Sequence, residues 1–226
     1  MAAMVAPLGV FGGTFDPIHL GHLELAREVR DALELAAVRL IPAGDPPHRA
    51  APVATAIHRL AMVELAIEDL PGLEVDRREI DRPGRSYTVL TLESLRAEDP
   101  ARPLALIVGA DAFAGFPDWH RWREIFLLAH VVVVARPGIP FPGPLAPALA
   151  DEWTCRQVDE PQALHDATAG AIFVQSITPH DISASSIRLQ LARGTEGIAA
   201  VRGLLPPAVL AYIDRNQIYR SRPDAT

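Results

Sequence analysis

His19 and His22 close a segment, Val10-Phe11-Gly12-Gly13-Thr14-Phe15-Asp16-Pro17-Ile18-His19-Leu20-Gly21-His22, whose residue types suit the handling of a phosphate. Gly12-Gly13 allows backbone angles and a close approach that side chains forbid, and Pro17 suits a turn just ahead of a helix. The two histidines are spaced to share one face of a first helical turn, where free N–H groups and the positive dipole end favour an anion. Both imidazoles are read as solvent-facing. Two plainer readings compete with this one. The glycines could merely turn a strand into a helix, with surface histidines beyond. The pair could also share a zinc ion, which would need a further protein ligand that no nearby Cys or acidic residue supplies at a familiar spacing.

A second segment, Asp181-Ile182-Ser183-Ala184-Ser185-Ser186-Ile187-Arg188, has a helix-capping serine, two more hydroxyls and an arginine about one turn further on. Hydroxyls and a guanidinium at a helix start can grip phosphate oxygens. Taken alone, the segment reads better as an ordinary serine N-cap followed by an exposed arginine.

The elements that must position these groups follow from periodicity. Short apolar runs at Leu8–Phe11, Val38–Ile41, Leu73–Ile80, Leu104–Val108, Val131–Ala135 and Ile172–Gln175 read as strands. Amphipathic stretches at Leu20–Leu35, Ala56–Leu70 and Val89–Glu98 read as helices between them. This alternation predicts an α/β fold: a Rossmann-like doubly wound parallel sheet with helices on both faces and ligands at the carboxyl ends of the strands. Residues 137–147 carry five prolines and two glycines and read as a loop over the site, while 151–169 is ambiguous. From Ser183 onward the pattern is helical, with Ser183–Arg193 ending at Gly194 and Pro207–Asn216 starting at a proline pair. Residues 1–226 therefore read as a single domain with 183–226 as its helical C-terminal part.

Composition removes several function classes. The chain contains no lysine, so a Walker P-loop, a protein-kinase site and Schiff-base chemistry are excluded. A net charge of −7 argues against a nucleic-acid partner. Cys155 stands alone, which excludes an internal disulfide and a multi-cysteine zinc cluster. No apolar stretch approaches the ~20 residues of a membrane span and no secretory leader is evident, so a cytoplasmic protein without a membrane partner is expected. Oligomeric state leaves no readable signal.

The first segment resembles the G-x-[ST]-F-D-x-x-H-x-G-H signature of the nucleotidyltransferase superfamily, and the second resembles its I-S-S-T-x-I-R motif. In the latter, Ala184 stands where the family has its second serine and Ser185 where it has threonine. Further pieces resemble bacterial nicotinate-nucleotide adenylyltransferases: Pro46-Pro47-His48-Arg49, with Arg49 in a lysine position; Arg85-Ser86-Tyr87-Thr88 followed by Thr91-Leu92; Gly109-Ala110-Asp111; Trp119-His120-Arg121-Trp122; Arg136-Pro137-Gly138; and Tyr212-Ile213 with Tyr219. Each has a plain alternative as well. Trp119 and Trp122, three apart, could be helix core, Tyr87 could be core, and Asp111 could cap a helix.

The resemblance implies a transfer of the adenylyl group of ATP to nicotinate mononucleotide, with Mg²⁺ bound mainly through the ATP phosphates and no metal site made by the protein. It implies that His19, His22 and Arg188 are catalytic, the histidines against the reacting phosphates and Arg188 against the β and γ groups. Gly12, Gly13, Thr14, Phe15, Ser183 and Ser185 are implied for ATP. Arg49, Thr88, Asp111, Trp119, His120 and Arg136 are implied for the acceptor, with the pyridine ring on Trp119 and its carboxylate near Thr88 and His120.

Overall fold

The computed structural model describes residues 5–46, 51–135 and 141–220. Seven strands form one sheet in the order β3-β2-β1-β4-β5-β7-β6, and every pairing is parallel. They are β1 (Leu8–Gly13), β2 (Ala37–Pro42), β3 (Leu73–Val75), β4 (Leu104–Gly109), β5 (His130–Ala135), β6 (Gln157–Val158) and β7 (Ile172–Ser176). From β1 the chain winds outward one way through β2 and β3, then returns to start β4 on the other side of β1. The switch point of this doubly wound sheet therefore lies between β1 and β4, where Leu8 pairs with Leu104 and Val10 with Leu106.

Alternate strand residues enter opposite cores, as the period of two requires. Val38, Leu40, Ala105, Ile107, Val132 and Val134 pack on one face with the Leu20–Ala32 and Ala56–Ile67 helices and the C-terminal helices. Val10, Ile41, Leu106, Val108, Val131 and Val133 pack on the other with the Thr88–Glu98, Trp122–Leu128 and Pro147–Arg156 helices. Parallel strands covered on both faces need this continuous apolar composition, and β5 is buried at every position.

All six expected strands are present, with one shortened. The run expected to extend to Ile80 stops at Val75. There Asp76 Oδ1 accepts from the Arg78 N–H at 3.0 Å, an Asx turn that starts the short Arg78–Asp81 helix instead. The ambiguous 151–169 stretch holds the end of the Pro147–Arg156 helix, the two-residue edge strand β6 and a helical turn at Ala163–Asp166. The helix begins at Pro147, the last residue of the expected loop, because proline suits a first helical position. The C-terminal part contains Ala184–Leu191, Thr195–Val201 and Pro207–Arg215. Among the described residues no helix is long and apolar enough to cross a membrane.

Candidate active site

β1 and β4 end side by side, and a cleft of about 1330 Å³ opens beyond them. Its walls come from the turn after β1, the start of the Leu20–Ala32 helix, the 86–88 segment, the turn after β4, Trp119-His120, and the 182–188 segment. The described part of the Pro-rich loop also lines it, through Phe141, Gly143, Pro144 and Leu145.

The turn after β1 is built from the inside out. Phe15 takes a left-handed backbone (φ 49°) and is 2% exposed as a residue, so its ring packs inside the turn. A Cβ on Gly13 would come within 2.8 Å of that ring, whereas one on Gly12 would meet nothing within 4 Å. Packing therefore demands glycine at Gly13, and at Gly12 the space lies in the cleft. The buried Arg59 donates to the carbonyls of Thr14 (2.7 Å), Ala43 (2.5 Å), Gly44 (3.2 Å) and Ala54 (3.3 Å), pinning the turn to neighbouring segments. Asp16, 5% exposed, accepts from the N–H groups of Val53 (2.8 Å) and Ala54 (3.1 Å) and from the Tyr219 hydroxyl (2.7 Å). Neither Asp16 nor Arg59 stands out in the sequence by its residue type. Asp16 lies inside the signature but reads as a turn residue, and Arg59 lies in an apolar helical pattern whose arginine gives no sign of burial.

His19 is the N-cap residue of the Leu20–Ala32 helix and His22 lies in its first turn. Their rings stack with centroids 3.6 Å apart at 22°. Contrary to the expectation of solvent-facing side chains, His19 is only 6% exposed. Its ring folds against the first turn, where a Cβ on Gly21 would approach its Nδ1 to 3.3 Å, so the glycine of the H-x-G-H pattern makes room for it. Burial lowers the His19 pKa to about 4, so the ring is neutral at ordinary pH. Its Nδ1 is buried without a hydrogen-bond partner. An unpartnered acceptor costs less than an unpartnered N–H, which assigns the proton to Nε2. His22 Nδ1 accepts from the His19 N–H at 3.3 Å, so a neutral His22 also carries its proton on Nε2.

Opposite, Ser183 occupies the N-cap position of Ala184–Leu191, but its side chain makes no capping bond. Ser183, Ala184, Ser185 and Arg188 all line the cleft. Arg188 Nη1 donates to the Asp16 carbonyl at 2.7 Å, and Nη2 donates to Ser185 Oγ at 3.1 Å. Arg188 is the only arginine lining the cleft among the described residues, and the chain has no lysine.

At the far end, Thr88 begins the Thr88–Glu98 helix and lines the cleft, so the N-terminus of that helix lies at the cleft wall. Ser86 Oγ accepts from the Gly44 and Asp45 N–H groups at 2.8 and 3.2 Å, fixing that helix start to the loop after β2. Trp119 packs on Phe116 (centroids 4.6 Å) and His120 lies on Tyr87 (4.4 Å). Tyr87 lines the cleft, whereas Trp122, 8% exposed and edge-on to Phe126, belongs to the core. Asp111 is exposed in the first turn of Ala110–Ala114, where Gly109 holds the N-cap position instead. Sequence reasoning also missed Glu79. It is buried at the cleft wall, accepts from Thr91 Oγ1 at 2.5 Å, and burial pushes its pKa up. Arg49 and Arg136 lie outside the described residues.

The cleft thus gathers thirteen of the fifteen expected site residues: His19, His22, Arg188, Gly12, Gly13, Thr14, Phe15, Ser183, Ser185, Thr88, Asp111, Trp119 and His120. No group of three or more His, Cys, Asp or Glu able to hold a metal occurs among the described residues.

A doubly wound parallel sheet with paired helix N-termini facing a cleft at its switch point defines a Rossmann-like nucleotidyltransferase fold. Residues 10–190 match the family described as Cytidylyltransferase-like. A protein of Laribacter hongkongensis is 49% identical over 219 residues, covering 96% of both chains. One of Stenotrophomonas maltophilia is 50% identical over 221 residues, covering 93% of this chain and 96% of its own. Both carry the name "Probable nicotinate-nucleotide adenylyltransferase". The solved structure of Plasmodium falciparum nicotinic acid mononucleotide adenylyltransferase complexed with NaAD is similar in fold, with a TM-score of 0.69 at 14% identity, covering 95% of this chain and 97% of that one. The chain belongs to the cytidylyltransferase-like family and, within it, to the nicotinate-nucleotide adenylyltransferases.

Proposed function

We propose that the protein transfers the adenylyl group of ATP to nicotinate mononucleotide, giving nicotinate adenine dinucleotide and pyrophosphate in NAD biosynthesis. The observation that carries this reading is that one cleft holds an anion-binding end (His19, His22, Arg188) and an aromatic end (Trp119, His120) with a helix N-terminus beside it at Thr88. Residues 1–226 are read as one nucleotidyltransferase domain, with 183–226 as its helical part, working in the cytoplasm on the ATP pool there.

The acceptor phosphate attacks the α-phosphorus of ATP. A new P–O bond forms as the bond to the bridging oxygen breaks, and pyrophosphate carries the released electron pair away. The nucleophile is already an anion, so no general base is needed, and a His19 of pKa about 4 would be a poor one. What the chain supplies is alignment and charge neutralisation. His19 and His22 donate from Nε2 to the oxygens of the reacting phosphates. Arg188 meets the β and γ groups, and the start of the Ala184–Leu191 helix with Ser183 and Ser185 binds the triphosphate. Family enzymes use a divalent metal with ATP. We assign Mg²⁺, entering as part of the MgATP substrate and held mainly by its phosphate oxygens. Trp119 stacks the pyridine ring, donors near Thr88 and His120 take its carboxylate, and Asp111 serves a ribose. Arg136 meets phosphate, and Arg49 contributes to the acceptor site.

Pyrophosphate release from MgATP with a panel of acceptors tests the reading. Release is expected only with a pyridine mononucleotide. Robust turnover with phosphopantetheine would overturn the reading, and ATP binding without turnover of any acceptor would mark a nucleotide sensor.

A further inference from the structure

The tyrosines near the end of the chain are not used by the mechanism above, yet one of them reaches the signature turn. Tyr219 is 7% exposed, has a left-handed backbone (φ 66°) and donates its hydroxyl to Asp16 Oδ1 at 2.7 Å. Asp16 is the residue whose main-chain carbonyl holds Arg188 Nη1 at 2.7 Å. The same Nη1 lies 3.9 Å from Asp16 Oδ2, just beyond hydrogen-bond reach. Arg188 therefore stands at a fork between the carbonyl and the carboxylate of one residue. A guanidinium–carboxylate bond is the stronger of the two, so something must keep the carboxylate satisfied without it.

We infer that Tyr219 is a positioning residue: by occupying Asp16 Oδ1 it keeps the buried carboxylate from capturing the Arg188 guanidinium, which stays turned toward the triphosphate. The inference rests on the reading of Arg188 as the partner of the β and γ phosphates. Three donors, Tyr219 Oη and the Val53 and Ala54 N–H groups, share the two carboxylate oxygens. Without the phenol the carboxylate is left with one donor per oxygen, Ala54 N–H on Oδ1 and Val53 N–H on Oδ2, and its uncompensated charge draws harder on the guanidinium 3.9 Å from Oδ2. Arg59 cannot supply it, since its guanidinium is committed to four carbonyls. Arg188, its side chain 29% exposed and held only by a carbonyl and a serine hydroxyl, is the cation able to turn. Burial and the bond to Asp16 both raise the phenol pKa, so Tyr219 remains a donor throughout the neutral range.

Tyr212 provides an internal control. It sits on the Pro207–Arg215 helix just ahead, and its hydroxyl lies 2.9 Å from His58 Nδ1. Tyr212→Phe thus removes a hydroxyl at the same junction that is bonded to His58 and not to Asp16 or Arg188. Calorimetric titration of the full chain with MgATP and with AMP, without acceptor, gives the readout. Tyr219→Phe is expected to weaken MgATP about five- to tenfold, less than the full worth of one charge-assisted contact because the guanidinium is turned and not removed, with AMP affinity unchanged because AMP lacks the β and γ groups. Tyr212→Phe is expected to leave both affinities unchanged. Adding Tyr219→Phe to Arg188→Ala is expected to cost no further MgATP affinity, since the two act through one contact. Equal losses for MgATP and AMP, additivity with Arg188→Ala, or a matching effect from Tyr212→Phe would overturn the inference and leave Tyr219 a packing residue. Failure of the unmodified chain to bind MgATP would overturn the functional reading and this inference with it, a result distinct from the other three.

Discussion

The Arg59 guanidinium reaches the Thr14 carbonyl at 2.7 Å from 45 residues further along the chain, and so holds the phosphate turn from beneath. Arg59 is 1% exposed, and burial lowers its pKa while Asp16 and Tyr219 oppose that shift. Arg59→Met would fill much the same volume but leave the Thr14 and Ala43 carbonyls without their donor. The expected loss is about 2 to 5 kcal/mol, or roughly 5 to 15 °C in Tm for a chain of this size. Arg59→Lys should recover less than half of it, because an ammonium cannot span the same carbonyls. Thermal unfolding measures both variants, and a Tm within two degrees of the unmodified chain for Arg59→Met would remove this residue from the turn's support.

Stability should fall on the acid side because of His19. Its folded pKa is about 4 against an ordinary 6.5, so between these values the unfolded chain binds a proton that the folded chain refuses. Stability from the neutral ring is complete above pH ~6.5 and is lost as pH drops toward 4, by up to about 3 kcal/mol. His130, also lowered by burial, contributes with the same sign, so the comparison is between variants. His19→Asn should show a shallower decline in denaturant midpoint from pH 7 to 4.5, and parallel profiles would sink the assignment.

Replacing either His19 or His22 by Ala should lower kcat by about 10² to 10³, the range for one preorganised donor. His22→Ala also removes the acceptor of the His19 N–H bond, so the effects should be less than additive in a double variant. Near-normal kcat for both single variants would mean that the phosphates lie elsewhere.

Ala184 lines the cleft where the superfamily motif has a serine. Restoring a hydroxyl with Ala184→Ser should change kcat/KM by less than about tenfold, since one neutral hydrogen bond contributes ~0.5 to 1.5 kcal/mol and helix-start N–H groups remain. A large activation would show that the unmodified enzyme is held back at this position.

Nicotinate mononucleotide should be preferred over its amide by at least ~10- to 150-fold in kcat/KM, because the amide loses a charge-assisted bond of ~1.5 to 3 kcal/mol at the helix start near Thr88. Trp119→Ala should weaken both acceptors alike, since stacking does not distinguish them. Equal kcat/KM for the two acceptors would point to a dual-specificity enzyme.

The sheet was legible in the sequence because buried parallel strands leave short unbroken apolar runs such as Val131–Ala135. The Leu73 strand ran too long in that reading because Asp76 ends it with a side-chain bond that hydrophobicity does not register. Glycines, histidines and the serine-rich start of the Ala184–Leu191 helix announced the cleft through residue type. The supports of the cleft stayed hidden. A buried Arg59 looks like any helical arginine, and Asp16 and Tyr219 lie 203 residues apart, a separation at which only the fold reveals a contact.

That separation also bears on synthesis. The Asp16 carboxylate emerges from the ribosome early, whereas the hydroxyl that completes its shell is added only when translation has reached Tyr219. Until then Asp16 lacks that donor, so the turn after β1 gains its full set of partners only once the chain has been made as far as Tyr219.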